Sequence, residues 1–390
     1  MLRRDVIRTL AVGGAAVLTG AGRAIAAEPR VVVSRIQLLG DRVVMPLTIN
    51  GAGPYLFLID SGGFLSLIDK ELARALKLSS RGSVRMGGVG GRTMLPLYLA
   101  RDVVFGGGAM QRGVAFGAME SGFNREIRGT LAAGMLTATD SDLDIENGEW
   151  RSYLDGRPAR SGFFRIDNAI SSVASGSGMG AGSPHLYGDA TVNGRRLRFL
   201  LDTGAPRGFS LDRSVAKSMG LWSDTQPYAP TRPHGVGGEA RIARTVRVER
   251  AEFGGASYVS PLVTLSGEDR PTQGVDGVIG LQVLRQFNLS TDVKAKALWV
   301  KRNANAMPLP DRYGLSGLWL DQERDAITVG AVGTGSPAAK AGMRVGDRIV
   351  GDTFPLALRK IVGAPGKAVS LEIERDGARS AIAFTLAPYL

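Results

Sequence analysis

The sequence predicts a mainly β protein: two similar β-lobes related by pseudo-two-fold symmetry, followed by a smaller unit of strands and short helices. Three observations carry this. The chain holds 54 glycines in 390 residues, one of its patterns repeats in register across both lobes, and the pattern changes after Pro308-Leu309-Pro310. So many glycines imply frequent tight turns rather than helical packing. The length exceeds one ordinary core and fits two or three domains.

Residues 1–26 read as an export signal. Arg3 and Arg4 precede an Ala/Gly/Val/Leu run from Leu10 to Gly20, and Ala24-Ile25-Ala26 supplies a small-residue cleavage site. The paired arginines and mild apolar run fit a twin-arginine type, which places the mature chain in the periplasm or otherwise outside the cytoplasm. The run is shorter than the ~20 apolar residues a membrane span needs, so no stable span is expected after cleavage. Four arginines and Asp5 leave with this segment, so the remaining chain carries +9 instead of +12. The basic residues are scattered and not interleaved with aromatics, which argues against nucleic acid as a partner. Attraction to an acidic envelope surface fits the charge better. With no cysteine and two histidines, the chain has no thiol nucleophile, no disulfide framework and no zinc-ligand pattern. Carboxylates, hydroxyls and backbone groups must carry any chemistry.

The repeat begins with Pro46-Leu47-Thr48-Ile49-Asn50-Gly51 and Asp189-Ala190-Thr191-Val192-Asn193-Gly194, each an alternating strand closed by an Asn-Gly hairpin turn. A second strand follows in each copy and runs into an acidic turn, Asp60-Ser61-Gly62 and Asp202-Thr203-Gly204. Next come short helices with Asp69 and Asp212 as N-caps, ending at Leu78 and Leu221. Gly88-Val89-Gly90-Gly91 answers Gly235-Val236-Gly237-Gly238. The stretch Gly129 to Leu136 answers Gly277 to Leu284. The expected organisation is lobe 1 at 31–158, a Gly/Ser-rich linker at 159–183, lobe 2 at 184–303, a Pro-containing linker at 304–312 and the third unit at 313–390.

A single Asp-Ser/Thr-Gly is usually an ordinary turn. Two at equivalent places in a duplicated fold, each at the end of an apolar strand, put two carboxylates on the floor of one cleft. Like charges so close cannot both ionise, so Asp60 and Asp202 are expected to share a proton; aspartic proteases are the standard example of this behaviour. Gly62 and Gly204 let the backbone pass close to the carboxylates, and the Ser61 and Thr203 hydroxyls are placed to bond the opposite lobe. Gly63 and Ala205 follow these turns and bring no hydroxyl to the carboxylates. The two glycine tetrads, Gly88 to Gly91 and Gly235 to Gly238, sit where hairpin tips would fold over a bound peptide. His234 reads as a surface group, and Trp150 and Trp299 read as core.

These residues resemble the retropepsin and pepsin-like aspartic peptidases, specifically bacterial exported aspartyl-protease-family proteins with two retropepsin-like units on one chain. The resemblance spans about residues 31–303. It rests on the two acidic turns, on Gly-Val-Gly-Gly, and on Asp276-Gly277-Val278-Ile279-Gly280 followed by Leu284. It implies a pair of β-barrel-like lobes, a substrate held extended under flaps, and no cofactor. Lobe 1 departs from the pattern: Thr130-Leu131-Ala132 stands where lobe 2 has Val278-Ile279-Gly280, and the Ala132 methyl is expected to crowd the backbone behind Asp60. That departure keeps a second reading open, a catalytically silent protein that only binds polypeptides.

After the Pro-containing linker, Gly335-Ser336-Pro337-Ala338-Ala339-Lys340-Ala341-Gly342 to Ile349 resembles PDZ domains of bacterial envelope proteases. The resemblance implies a small β-sandwich with short helices that takes a peptide C-terminus along one strand edge. The carboxylate would meet the loop Gly314-Leu315-Ser316-Gly317-Leu318. The groove helix, Phe354 to Ile361, is short, so a purely docking or structural role also fits.

Overall fold

The computed structural model describes residues 30–390 except 89, 121–122, 124, 160, 172–184 and 270–273. The segment expected as an export signal, the centre of the Gly/Ser-rich linker and Val89 lie outside the described residues. No described helix is long and apolar enough to cross a membrane.

The protein is mainly β. In lobe 1 six strands form a circuit: Arg42–Ile49, Ala52–Asp60, Ile127–Ala132, Leu67–Asp69, Ala109–Met119 and Gly91–Phe105, which returns to pair with Arg42–Ile49. Lobe 2 follows the same circuit through Leu186–Val192, Arg195–Asp202, Gly277–Gly280, Phe209–Leu211, Leu262–Leu265 and Ala243–Arg247, with Arg250–Phe253 returning to Leu186–Val192. Both hairpins that begin the circuits close through Asn-Gly with positive φ at both residues, as the twist of the flanking strands requires. The asparagine side chains do equivalent work: Asn50 Oδ1 accepts from the amides of Arg101 and Asp102, and Asn193 Oδ1 from those of Glu249 and Arg250. Asp69 caps its helix through Leu72 N at 2.8 Å. Asp212 holds the same position without that side-chain bond.

A third sheet joins the lobes. Its order is Val31–Arg35, Glu149–Tyr153, Asp140–Asp144, Phe287–Asp292, Ala297–Arg302 and Phe164–Ile166, with the junction at Asp142↔Ser290 and Leu143↔Leu289. Three strands precede the junction and three follow it. Phe164–Ile166 lies inside the segment expected as linker, yet it edges lobe 2 as Val31–Arg35 edges lobe 1. One apolar core runs through both lobes and this sheet, from Ile36 to Val300. Trp150 is buried in it. Trp299 departs from its expected core place: it is half-buried, with the guanidinium groups of Arg157 and Arg165 at 5.0 and 5.6 Å from its ring.

Residues 318–385 form a five-stranded antiparallel sheet with two short helices and a core of their own. The helix Pro337–Lys340 starts where the Ser336 hydroxyl accepts from Ala339 N. This unit rests on lobe 2. Tyr228 Oη donates to the Val332 carbonyl at 2.9 Å, Thr334 Oγ1 to the Asp224 carbonyl at 3.1 Å, and Arg232 pairs with Asp321 at 2.8 Å. Because the cores are separate, a chain ending at residue 310 is expected to keep its far-UV circular dichroism and melt cooperatively at a lower temperature, Tyr228 and Arg232 having lost partners. Aggregation or a non-cooperative melt would make this unit an integral third lobe.

Candidate active site

The strand Ala52–Asp60 runs parallel to Ile127–Ala132, and Arg195–Asp202 runs parallel to Gly277–Gly280, so each aspartate emerges at the end of a buried strand. The two turns interlock. Ser61 Oγ donates to the Leu201 carbonyl at 2.8 Å and accepts from Thr203 N at 3.0 Å; Thr203 Oγ1 donates to the Ile59 carbonyl at 2.6 Å and accepts from Ser61 N at 3.1 Å. Both hydroxyls are fully buried. Each satisfies backbone groups that water cannot reach, so losing either hydroxyl would orphan two backbone groups of the opposite lobe.

Gly62 and Gly204 have ordinary φ angles, so these positions need glycine for space. A Cβ at Gly62 would stand 2.3 Å from Asp202 Cγ, and one at Gly204 would stand 2.6 Å from Asp60 Oδ1. Each glycine thus faces the carboxylate of the other lobe, and the crossing brings Asp60 and Asp202 together. Each aspartate keeps a partly accessible surface at the cleft and is otherwise enclosed. Asp202 Oδ1 accepts from Gly204 N at 2.8 Å and Ala205 N at 3.0 Å. Burial raises both carboxyl pKa values. For Asp60 the neighbouring Asp202 charge and the bond between the two add to burial and push it up to about 8. For Asp202 the amides of Gly204 and Ala205 and the bond from Asp60 work against burial. Both carboxyls are thus driven toward the neutral form, and the pair is set to hold one proton between them.

The backbone behind Asp60 is bonded differently from that behind Asp202. In lobe 2, Gly280 N donates directly to the Gly208 carbonyl at 2.7 Å, and a Cβ there would lie 2.2 Å from the Arg207 carbonyl. In lobe 1 the equivalent amide, Ala132 N, bonds the Ser66 hydroxyl at 3.1 Å. A side chain replaces a backbone contact. The bond that follows is the same in both lobes: Ala133 N to the Gly63 carbonyl at 2.9 Å, and Leu281 N to the Ala205 carbonyl at 2.8 Å.

The glycine tetrads meet over the turns. Gly88 pairs with Gly91 at the tip of the hairpin Ser79–Phe105, and Gly235 with Gly238 in the hairpin His234–Glu239. Gly90 N donates to the Val236 carbonyl at 2.8 Å, and a Cβ at Gly90 would lie 2.3 Å from Gly238 N. A Cβ at Gly237 would lie 2.7 Å from Gly91 N. The tips touch backbone to backbone, which only glycine permits. The Val236 side chain packs on the apolar cluster of Leu65, Leu67, Met86 and Leu95 in lobe 1. His234 is exposed. The other histidine carried no expectation, yet it lies at the site: His185 is half-buried, its ring hydrogen-bonds the Gly62 backbone, and burial lowers its pKa.

Gly314 to Leu318 lies far along the chain from the dyad, beside the lobe 2 contact. Gly317 N donates to the Gly314 carbonyl at 3.1 Å and Leu318 N to Ser316 Oγ at 3.2 Å, so two amides expected to meet a carboxylate are engaged within the loop. Leu315 packs on the core of its unit. Among the described residues no group of His, Asp or Glu is arranged to hold a metal ion.

Two stretches of the chain, 45–138 and 188–283, match the sequence model of the aspartyl protease family. An aspartic proteinase from Irpex lacteus is similar over 71% of this chain and 99% of its own, at 12% identity and a TM-score of 0.45. A retropepsin-like aspartic protease from Rickettsia conorii covers 30% of this chain and 81% of its own, at 20% identity and a TM-score of 0.23. No curated protein matches the chain. Each lobe, taken alone, carries the sequence pattern of the aspartyl protease family.

Proposed function

We propose that the protein is an exported aspartic endopeptidase that cleaves extended polypeptides with Asp60 and Asp202. The observation that supports this best is the interlocked pair of turns, which sets two carboxylates at the same cleft floor, where burial favours their sharing one proton. Asp202 takes a proton from a water placed between the carboxylates as the water oxygen attacks the scissile carbonyl carbon, and Asp60 gives its proton to the carbonyl oxygen. When the tetrahedral intermediate collapses, the C–N bond breaks. The departing nitrogen takes the proton from Asp202, and a hydroxyl of the intermediate returns one to Asp60. The pair ends as it began, with one proton and no cofactor. Gly88 to Gly91 and Gly235 to Gly238 close over the chain being cut, and the PDZ-like unit docks a substrate or partner polypeptide. The Ser66 bond that accommodates Ala132 leaves lobe 1 competent and disfavours the silent-binder reading.

The mature chain is expected to cleave an unstructured protein and to stop when a statine-type transition-state analogue is added. Intact substrate after prolonged incubation over a range of pH would refute the assignment.

The pH profile follows from the dyad. Activity needs the shared proton, so the basic limb of kcat/KM falls as that proton is lost. Asp60 holds its proton to about 8, and Gly63 and Ala205 bring only backbone amides to the carboxylates. The basic limb is therefore expected near or above neutrality. A peptide with no groups titrating between about pH 3 and 8 would report it. Activity confined below about pH 4 would contradict this charge arrangement.

A further inference from the structure

The two halves of the cleft are not chemically alike. Five residues beyond Asp60 stands Leu65, and five beyond Asp202 stands Arg207. The positions are equivalent, since the residues around them make matching bonds: Gly63 with Ala205, and Ser66 with Gly208. Leu65 is buried against Met86, Leu95 and the Val236 flap tip, so the lobe 1 side is apolar.

Arg207 is a half-buried guanidinium. Its Nη2 donates to Thr231 Oγ1 at 2.6 Å, and among the described residues no carboxylate lies within ion-pair distance of it. Burial lowers its pKa, with no acidic neighbour to offset the effect. It lines a cavity of about 590 Å³ at the boundary of the lobes, together with Asp41, Thr264, Arg285 and the linker from Met307 to Arg312. The two acids there are already engaged, Asp41 with Arg285 and Asp311 with Arg247, each at 2.7 Å. The Arg207 backbone lies directly behind Gly280, the strand partner of Asp202, and Thr231 comes three residues before the hairpin His234–Glu239. Arg207 thus links the catalytic turn to the root of a flap. A cation removed from water without a counter-ion is costly, and a fork of N–H donors is shaped for a carboxylate.

We propose that Arg207 receives a carboxylate side chain of the substrate, so that the enzyme selects an acidic residue on one side of the scissile bond and an apolar residue on the other. This rests on the peptidase reading and adds the substrate class. Paired peptides differing only as Glu or Gln at each position around an apolar cleavage site, with amidated C-termini, provide the test. At one position on one side, Glu is expected to exceed Gln in kcat/KM by about tenfold or more. Arg207→Leu, which installs the lobe 1 residue, should bring that ratio to near one. Arg207→Lys should keep part of it, and Arg207→Glu should favour Lys over Glu at the same position. Equal losses for both peptides in Arg207→Leu would mean that the arginine only supports the fold, and the proposal falls. A peptide ending in a free carboxylate at that position, preferred while internal Glu is not, would also overturn it. Binding of the same labelled peptides to the full Asp60→Asn chain separates the two levels. A Glu-over-Gln difference there, with no cleavage by the wild type, removes the peptidase reading and leaves the carboxylate site. No difference in either assay removes the site.

Discussion

Replacing Asp60 with Asn is expected to reduce kcat/KM by at least about 10³-fold, and Asp202→Asn by a similar factor, because one water and one shared proton require both carboxylates. Asparagine is nearly the same shape and can accept the amide bonds that Gly204 and Ala205 give Asp202. The fold should therefore survive, and the double variant should be little worse than either single one. Both substitutions remove an enclosed carboxylate whose charging is opposed by burial, so neither should lower the melting temperature much. Substantial turnover by either purified variant, once contaminating peptidase is excluded by inhibitor titration, would sink the dyad.

Gly62→Ala should cause a large loss as well, without replacing a titratable group. Its φ is ordinary, so backbone strain is not the cause. The added methyl would arrive 2.3 Å from Asp202 Cγ, and the least change that relieves this is a separation of the carboxylates by about an ångström. A displacement of that size at reacting atoms costs roughly 10²-fold. The expected signature is a fall in kcat with KM nearly unchanged, in a variant whose circular dichroism matches the parent. Normal kcat would show that the turns are not held as closely as the geometry requires.

Much of this site was legible because the duplication supplied two readings of each motif. The Asn-Gly turns, the acidic turns and the glycine tetrads are each ambiguous once and informative twice, and the hydroxyls of Ser61 and Thr203 cross between lobes as their position implied. Other features left no local trace. Phe164–Ile166 is three residues long, and its strand character comes from pairing with residues 298–300, distant in sequence. Ser66 takes its role by bonding Ala132 N, a residue distant in sequence, which no local pattern encodes. Trp299 was read by analogy with Trp150, but Arg157 and Arg165 cover it where Trp150 has the shared core. His185 precedes its strand with no motif around it, and only folding brings it to Gly62. Arg207 was visible in principle: aligning the repeats and asking where they differ in charge points directly to the pair Leu65 and Arg207.

The central sheet that pairs Asp142 with Ser290 has a further consequence for how the cleft assembles. Two halves on separate chains meet only at sufficient concentration and come apart on dilution; two halves on one chain meet at an effective concentration set by their tether. Turnover per molecule should therefore stay constant as the protein is diluted. Covalent joining also frees the halves from being copies. In a symmetric pair of identical chains, an arginine placed in one wall appears in the opposite wall as well, and the cleft reads its substrate the same way from either end. Here a single codon change alters one wall alone, so the cleft is free to differ between its two ends.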